Sequence, residues 1–548
     1  MELTHASELA ISHQLNVLIV DENEFVHHLL QSSLLDLNIE RVSVCTNAYK
    51  AVKLCEKNYF HIVICAFNVK SDKDGFHLLE ELKDKGYVNK RTVLIFLSSE
   101  TSESLVNSII ELQPDDFWSK PLSQGKVTER LRYTLGVKKK LFTIFLAFDK
   151  KNYSKAIYFA DRLLLDNSLK PYFLNILRLK GEAYLRLREF VEAETFYRSL
   201  LKSCQHSWVY TGFVNALLNQ NKLDEIKDLL STLVEKPDTR FATYDLLAQY
   251  YIDNKRYELA YEQIKLACEL SPRNLERQRK LYELARLNGD FSGQYKASKN
   301  MVKFAKNSIH QSPVFELNMI RSCLDYANSM SDAQATSLFS DVEKAIKTLE
   351  SNADTDDQIT QLLWVIKARL CTAQGQEEKA LNIVENHFSV RPSADVEDNL
   401  DKVKVYQELG LKEEMQELYD IIAKQSEHDS LNNAAINGYI EQRVEHKTQQ
   451  FSPRKLNQMA VEYYKKARYM SSAKCLEEAV LLSPKNNKFK ISLLKVLIKL
   501  KEKDQHETKH LELAEETIEK LRYEQLSEKD NEVYLQLKNR WQVNSMEN

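Results

Sequence analysis

Three short apolar runs in this chain each lead to a small or polar residue. Asn16–Val20 (NVLIV) is followed by Asp21 and Glu22, His61–Ala66 (HIVICA) ends on Ala66, and Thr92–Leu97 (TVLIFL) is followed by Ser98 and Ser99. Further on, Lys120 stands in the segment DDFWSKP. Doubly wound α/β domains bind their ligands at the carboxyl ends of the strands. The residues with chemistry to do are therefore Asp21, Glu22, Ala66, Ser98 and Lys120: two carboxylates, a methyl, a hydroxyl and an ammonium. No other catalytic constellation is present: there is no Gly-rich phosphate loop, GxSxG, HExxH or basic recognition helix. His506 and His510 have i, i+4 spacing but no acid or cysteine constellation beside them, so a solvated face is the better reading than a metal site.

The elements that position these groups follow from the pattern. The apolar runs are four to six residues long, rich in β-branched residues and continuous rather than alternating. Between them lie amphipathic stretches at Phe25–Leu37, Ala48–Lys57 and Phe76–Lys85. Strands of this kind alternating with helices predict a parallel sheet covered on both faces.

In that setting the order and spacing become specific. The acidic pair after the first strand, Asp74-Gly75-Phe76 followed by LLEEL after the third, Ser98 after the fourth and Lys120-Pro121 after the fifth resemble the receiver domain of bacterial two-component response regulators, over residues 15–135. The resemblance implies a five-stranded doubly wound fold. It also implies a phosphoacceptor aspartate at the end of the third strand, Mg²⁺ held by the acidic pair, and a hydroxyl and a lysine that read the phosphoryl group. Phe117, three residues before Lys120, takes the place of the family's aromatic switch.

The acceptor position is Ala66, and a methyl group neither attacks phosphorus nor coordinates a metal. The following loop, 67–73 (FNVKSDK), is one residue longer than the family's and carries Lys70 where the family has Pro. Asp74 suits a helix N-cap, and Asp72 is an alternative acceptor only if the loop folds back into the site. Asp21, Glu22, Ser98 and Lys120 remain, either as a relic Mg²⁺ site at Asp21 and Glu22 or as a charge cluster in which Lys120 simply pairs with Asp21. The expected cofactor is none, with Mg²⁺ binding weakened by the missing ligand.

Beyond about Gly136 the strand signals fade and the chain repeats. Residues 241–274 (FATYDLLAQYYIDNKRYELAYEQIKLACELSPRN) resemble the tetratricopeptide repeat at nearly every diagnostic position. Ala248 and Ala260 let its two helices approach closely, and Ala267 does the same for the next unit. Looser copies start near residues 137, 174, 205, 275, 361, 396 and 453, with Trp208 and Trp364 on the signature aromatic position. The expected organisation is a tail at 1–14, the receiver-like domain at 15–135, repeats at 137–308, an irregular helical insert at 309–360, repeats at 361–430, a linker at 431–452, and a final repeat with helices at 453–548. The fold class is thus a doubly wound α/β domain followed by an all-α solenoid.

A solenoid of helix pairs leaves a concave groove lined by the first helix of each pair. Repeat positions place Arg178, Glu182, Asp245, Gln249 and Arg369 there. The Lys/Asn set with which chaperone-binding members clamp a terminal carboxylate is absent, so the expected ligand is a protein segment but not a C-terminal carboxylate motif. Phe145 and Phe148 of the first repeat either join the groove or pack against the receiver.

Composition agrees with this organisation. The 548 residues include only 11 Gly and 9 Pro, where ordinary usage gives roughly 38 and 27, so tight turns are scarce and helices abundant. With 76 basic against 79 acidic residues there is no electrostatic footprint for nucleic acid or an anionic membrane. No apolar run approaches the ~18 residues of a membrane span, and the first residues lack the features of a secretory signal. Eight scattered Cys without a CxxC pair suggest reduced thiols and a cytoplasmic compartment.

The function expected is a non-catalytic two-component regulator. Its receiver docks a histidine kinase or phosphotransfer domain, and its repeats hold another protein. The family's docking mode implies contacts from the helix at 25–37, with His27, His28 and Leu30 as candidates. The alternative is a phosphorylation-dependent regulator using Asp72, with the repeats as output. Nucleic acid and membrane insertion are not expected; oligomeric state is left open.

Overall fold

The computed structural model describes residues 14–330, 332–352, 357–388, 392–427, 430–445, 451–522 and 526–546. The tail expected at 1–14 lies outside them except for its last residue. The chain divides into two compact units: one built from residues up to Leu275 together with Phe304–Gln311, the other from Glu276–Lys303 and the chain from Ser312 onward.

The first unit opens with alternating strands and helices: β1 Asn16–Val20, α1 Glu24–Leu35, β2 Arg41–Cys45, α2 Ala48–Lys57, β3 Ile62–Ala66, α3 Gly75–Asp84, β4 Val93–Ser98, α4 Glu103–Glu111, β5 Asp116–Ser119 and α5 Gln124–Lys140. All neighbouring strands are parallel, in the order β2-β1-β3-β4-β5, with Val20 opposite Cys65 and Ala66 opposite Leu97. Because successive side chains point to opposite faces, one continuous apolar run feeds two cores. Leu18, Val20, Val63 and Phe96 pack with α2, α3 and α4, while Val17, Ile19, Ile64 and Ile95 pack with α1 and α5. Asn23, Asn47 and Asp74 cap α1, α2 and α3 by accepting from backbone N–H groups of the first turn.

The boundary expected at 135–137 falls inside a helix. Helix α5 runs on to Lys140, and α6 Phe142–Asp149 starts after a break at Leu141. Helices α7 Tyr153–Leu164, α8 Phe173–Leu187, α9 Phe190–Leu200, α10 Ser207–Leu218, α11 Lys227–Glu235, α12 Pro237–Asp253 and α13 Tyr257–Leu270 complete this unit's repeats. Ala156, Ala183, Ala193, Ala248, Ala260 and Ala267 are fully buried, as close helix approach requires. Gly181 on α8 and Gly212 on α10 both face the buried Tyr197 ring of α9. A Cβ at either would stand 2.5 or 2.2 Å from that ring's atoms, so the aromatic fills what two side chains vacate.

The second unit is all helical among the described residues. It contains α14 Leu275–Leu287, α15 Phe291–Ala305, α16 Pro313–Asn328, α17 Asp332–Asn352, α18 Asp357–Ala373, α19 Glu377–His387, α20 Val396–Leu409, α21 Lys412–Gln425, α22 Leu431–Glu445, α23 Pro453–Lys465, α24 Tyr469–Leu482, α25 Asn487–Glu502, α26 Thr508–Arg522 and α27 Glu528–Met546. The helical insert expected at 309–360 is a helix pair: Leu317, Ile320 and Leu324 of α16 pack with Phe339, Val342 and Ile346 of α17. Two expectations are corrected here. The linker at 431–452 begins as a helix, α22, because Ile436 and Ile440 bury against Leu400 and Ile422; residues 446–450 lie outside the described ones. His510 is buried with its Nδ1 accepting from the Glu507 N–H, so the solvated face expected for it is also corrected.

Candidate functional site

Asp21 follows β1 and is fully buried at the carboxyl end of the sheet. Its N–H donates to the Cys45 carbonyl, and its Oδ1 accepts from the Asn23 N–H at 2.9 Å. Its Oδ2 lies 2.7 Å from Lys120 Nζ without the alignment of a hydrogen bond, so charge holds this contact. The Lys120 N–H donates to the Ser98 carbonyl at 2.9 Å, and the Ser98 hydroxyl accepts from the Glu100 N–H at 3.0 Å. The structure thus brings Asp21, Ser98 and Lys120 together beside Ala66, whereas Glu22 is exposed. Phe117 is half-buried and stacks on Phe96 with ring centroids 6.5 Å apart.

A close backbone approach shapes the rim at β3. Gly75 donates its N–H to the Phe67 carbonyl, and a Cβ there would sit 1.8 Å from the Ala66 carbonyl oxygen. Only glycine lets α3 start this near the strand end. The intervening loop is stitched to α2: Lys70 donates its N–H to Thr46, Asn47 donates to the Lys70 carbonyl, and the Ser71 hydroxyl accepts from the Ala48 N–H. Asp72 turns outward, is exposed, and accepts from the Tyr49 hydroxyl at 3.1 Å. Lys73 is buried on Glu81; burial pushes the Glu81 carboxyl up, but Lys73 and Lys85 outweigh it and hold the carboxyl below its usual range.

One residue that the sequence did not flag dominates this rim. Arg273, just past α13, places a guanidinium nitrogen 2.8 Å from Asp74. Its guanidinium carbon lies 5.1, 5.4 and 5.7 Å from the ring centroids of Phe67, Phe76 and Phe304. His77 completes the cluster, with Nδ1 3.0 Å from Asp74 and Nε2 2.9 Å from the Phe304 carbonyl. Burial raises the Asp74 carboxyl, but His77 and Arg273 together hold it down at about 2. Its only sequence signal was its place at the end of a repeat.

The repeats also cover α4. Asn107 donates to the Leu270 carbonyl, the Ser108 and Ser271 hydroxyls meet at 3.2 Å, and Glu103 pairs with Arg240. Helix α1 keeps an open face instead. His27 is buried, with Nε2 2.8 Å from the Asp21 carbonyl, and Leu30 is fully buried. Both are corrections: they point inward, and only His28 of the three docking candidates is exposed. The exposed stripe is Phe25, His28, Ser32 and Leu35, at helical spacing, with Phe25 85% and Leu35 59% exposed.

The groove candidates divide. Arg178 is exposed and Glu182 half-buried, 3.6 Å from Lys90 of the α/β domain. Phe145 and Phe148 are buried under Lys138 and Lys90, so they pack against that domain. Asp245 is half-buried, and Gln249 donates to Asp253 at 2.7 Å. Arg369 is a correction: it is 3% exposed, paired with Asp401 and Asp325 at 2.6 Å, and so is part of the second unit's interior. Periodicity gives its face, but only packing decides whether that face stays open.

The family described as response regulator receiver domain matches residues 17–132. This segment is a receiver domain. Curated protein sequences give no match to the chain. Among solved structures, the chemotaxis response regulator CheY4 of Vibrio cholerae is 20% identical, covering 22% of this chain and 98% of its own, with a TM-score of 0.20. A tetratricopeptide repeat protein from Parabacteroides merdae is 13% identical over 50% of this chain and 98% of its own, with a TM-score of 0.25. The APC/C hetero-tetramer Cut9–Hcn1 is 11% identical over 76% of this chain and 99% of its own, also at 0.25. No helix among the described residues is long and apolar enough to cross a membrane.

Proposed function

We propose that this chain is a non-catalytic two-component regulator whose receiver domain is a pseudo-receiver. The carrying observation is Ala66: at the end of β3 stands a fully buried methyl, beside an Asp21 already engaged by Lys120. Mg²⁺ takes oxygen ligands in octahedral array. One engaged carboxylate and the exposed Glu22 form a poor donor set for it, so the proposed signalling mode needs no Mg²⁺. Asp72 supports the alternative weakly, since it faces outward onto Tyr49.

In this reading the receiver docks a histidine kinase or phosphotransfer domain through the α1 stripe of Phe25, His28 and Leu35. Occupying that partner limits transfer to a competent regulator, while the repeats hold a second protein. A cytoplasmic setting goes with the partner class.

Intact mass after incubation with acetyl phosphate and Mg²⁺ tests the core of this reading. No added phosphoryl group is expected; a stoichiometric gain sinks it. Docking is tested by adding excess protein to kinases encoded beside it while they transfer to their own regulators. Transfer should slow with the parent chain and recover with F25A/L35A. Unchanged transfer with every such kinase removes the docking part.

A further inference from the structure

The amino ends of β4 and β5 hold a second concave site, remote in function from the Asp21 cluster. A cleft of about 710 Å³ opens between the receiver domain and helices α6 and α8. Small-molecule sites commonly span ~300–1,000 Å³. Its floor is apolar, made by the buried Val88, Leu94, Val137, Phe145 and Leu179. Phe117, the aromatic that stacks on Phe96, also lines it.

Its walls carry four cations, Lys83, Lys90, Lys138 and Arg178, and four acids, Asp115, Asp116, Asp149 and Glu182, but two of those acids are taken by cations from outside the lining, Arg91 and Arg130. Each acid already has a cation: Asp115 has Lys138 at 2.8 Å, Asp149 has Arg91 at 2.7 Å, Asp116 has Arg130, and Glu182 has Lys90 at 3.6 Å. Two cations are left over. Lys83 donates only to the Leu112 carbonyl, and Arg178 has no carboxylate within ion-pair distance among the described residues. Burial, with Lys90 and Lys138 nearby, holds the Lys83 ammonium down at about 8 against the opposing pull of Asp115. Cations crowded over an apolar floor are relieved by an anion that brings its own apolar body.

We propose that this cleft binds a small organic anion, an apolar or aromatic body carrying one terminal carboxylate or phosphate. Lys83 and Arg178 receive the charged group, and the body lies on Phe145 and Leu179. Bound there, the ligand also touches Phe117, whose ring reaches the sheet's interior through Phe96.

The test titrates the full chain with 8-anilinonaphthalene-1-sulfonate, an aromatic monoanion, and follows its fluorescence. One saturable site is expected, weakened about tenfold by K83M or by R178Q and further by both together. R178Q changes an exposed helix residue, so it reports even where K83M disturbs folding; a circular-dichroism melt of each variant accompanies the titration. R132Q, an exposed cation on α5 outside the cleft, should leave binding unchanged. The uncharged N-phenyl-1-naphthylamine should bind the parent at least about tenfold more weakly. Displacement by decanoate or by phenyl phosphate assigns the head group as carboxylate or phosphate. The proposal is overturned by no saturable binding, by equal binding of the uncharged probe, by equal affinity of R178Q and parent, by equal weakening in R132Q, or by displacement with neither competitor.

Discussion

Arg273 meets Asp74 at 2.8 Å across 199 residues of sequence. Asp74 caps α3 at the end of the loop that follows β3, and Arg273 belongs to the end of a repeat. The two parts of the first unit are therefore joined beside the loop that follows β3. With three aromatic rings around the guanidinium, the pair is held in surroundings that screen it less than open water does.

Replacing Arg273 with Met should remove the ion pair while keeping much of the apolar stem. Asp74 keeps His77, so the expected loss is about 1–3 kcal/mol of stability rather than unfolding. Chemical denaturation measures the loss. Hydrogen exchange should show faster amide exchange over residues 67–77, and unchanged protection there would mean that Arg273 does not hold the loop.

Restoring the acceptor gives a second test. Ala66→Asp puts a carboxylate into a fully buried position beside Asp21, so like charges are forced together unless a cation or a proton intervenes. The variant should melt below the parent in EDTA and regain stability on adding Mg²⁺, while the parent is indifferent to Mg²⁺. A variant whose melting ignores Mg²⁺ would show that Asp21 and Lys120 stay locked together.

A pH effect is expected in the second unit. Glu283 is 6% exposed, its Oε2 has no hydrogen-bond partner, and Arg286 lies 3.8 Å away. Burial pushes its carboxyl up to about 7; Arg286 opposes this and Glu397 adds to it. The raised value means that the folded chain favours the protonated form. That contribution is complete below the unfolded value, near 4.5, and fades as pH rises through 7. Glu283→Gln should therefore raise stability by roughly 1–3 kcal/mol at pH 8 and change little near pH 4.5. Thermal melts of both proteins at the two pH values measure it; an equal gain at both would exclude titration as the cause.

Arg369 sits in a buried chain of charges. Asp401 pairs with both Arg321 and Arg369, and Asp325 with both Arg369 and Lys404. Removing one cation leaves two buried carboxylates short of a partner. Arg369→Met should cost about 3–5 kcal/mol, whereas a change at an open groove residue is usually within about 0.5 kcal/mol. A denaturation midpoint close to that of the parent would return Arg369 to the groove.

Much of this protein was legible in its sequence because local rules carried the information. Continuous β-branched runs fixed a sheet covered on both sides, and the acidic pair, Asp74-Gly75, Ser98 and Lys120 came at receiver spacing. Buried alanines and glycines at repeat positions marked helix contacts, down to Gly181 and Gly212 sharing one tyrosine ring. Ala66 could be read directly, because a missing carboxylate is a matter of residue type alone.

What sequence periodicity could not decide was which faces stay open. On α1, His27 and Leu30 lie three residues apart on the inner face, and Phe25 and Leu35 hold the outer one. The same uncertainty covered Arg369, placed on a groove face by its repeat position and enclosed by its neighbours' carboxylates. Arg273 and the Lys83–Arg178 cleft depend on residues far apart in the chain meeting in space. Side-chain type and spacing act over a few residues, so they determine elements and their polarity. Burial and charge pairing are sums over everything that packs nearby, and those were decided only when the helices came together.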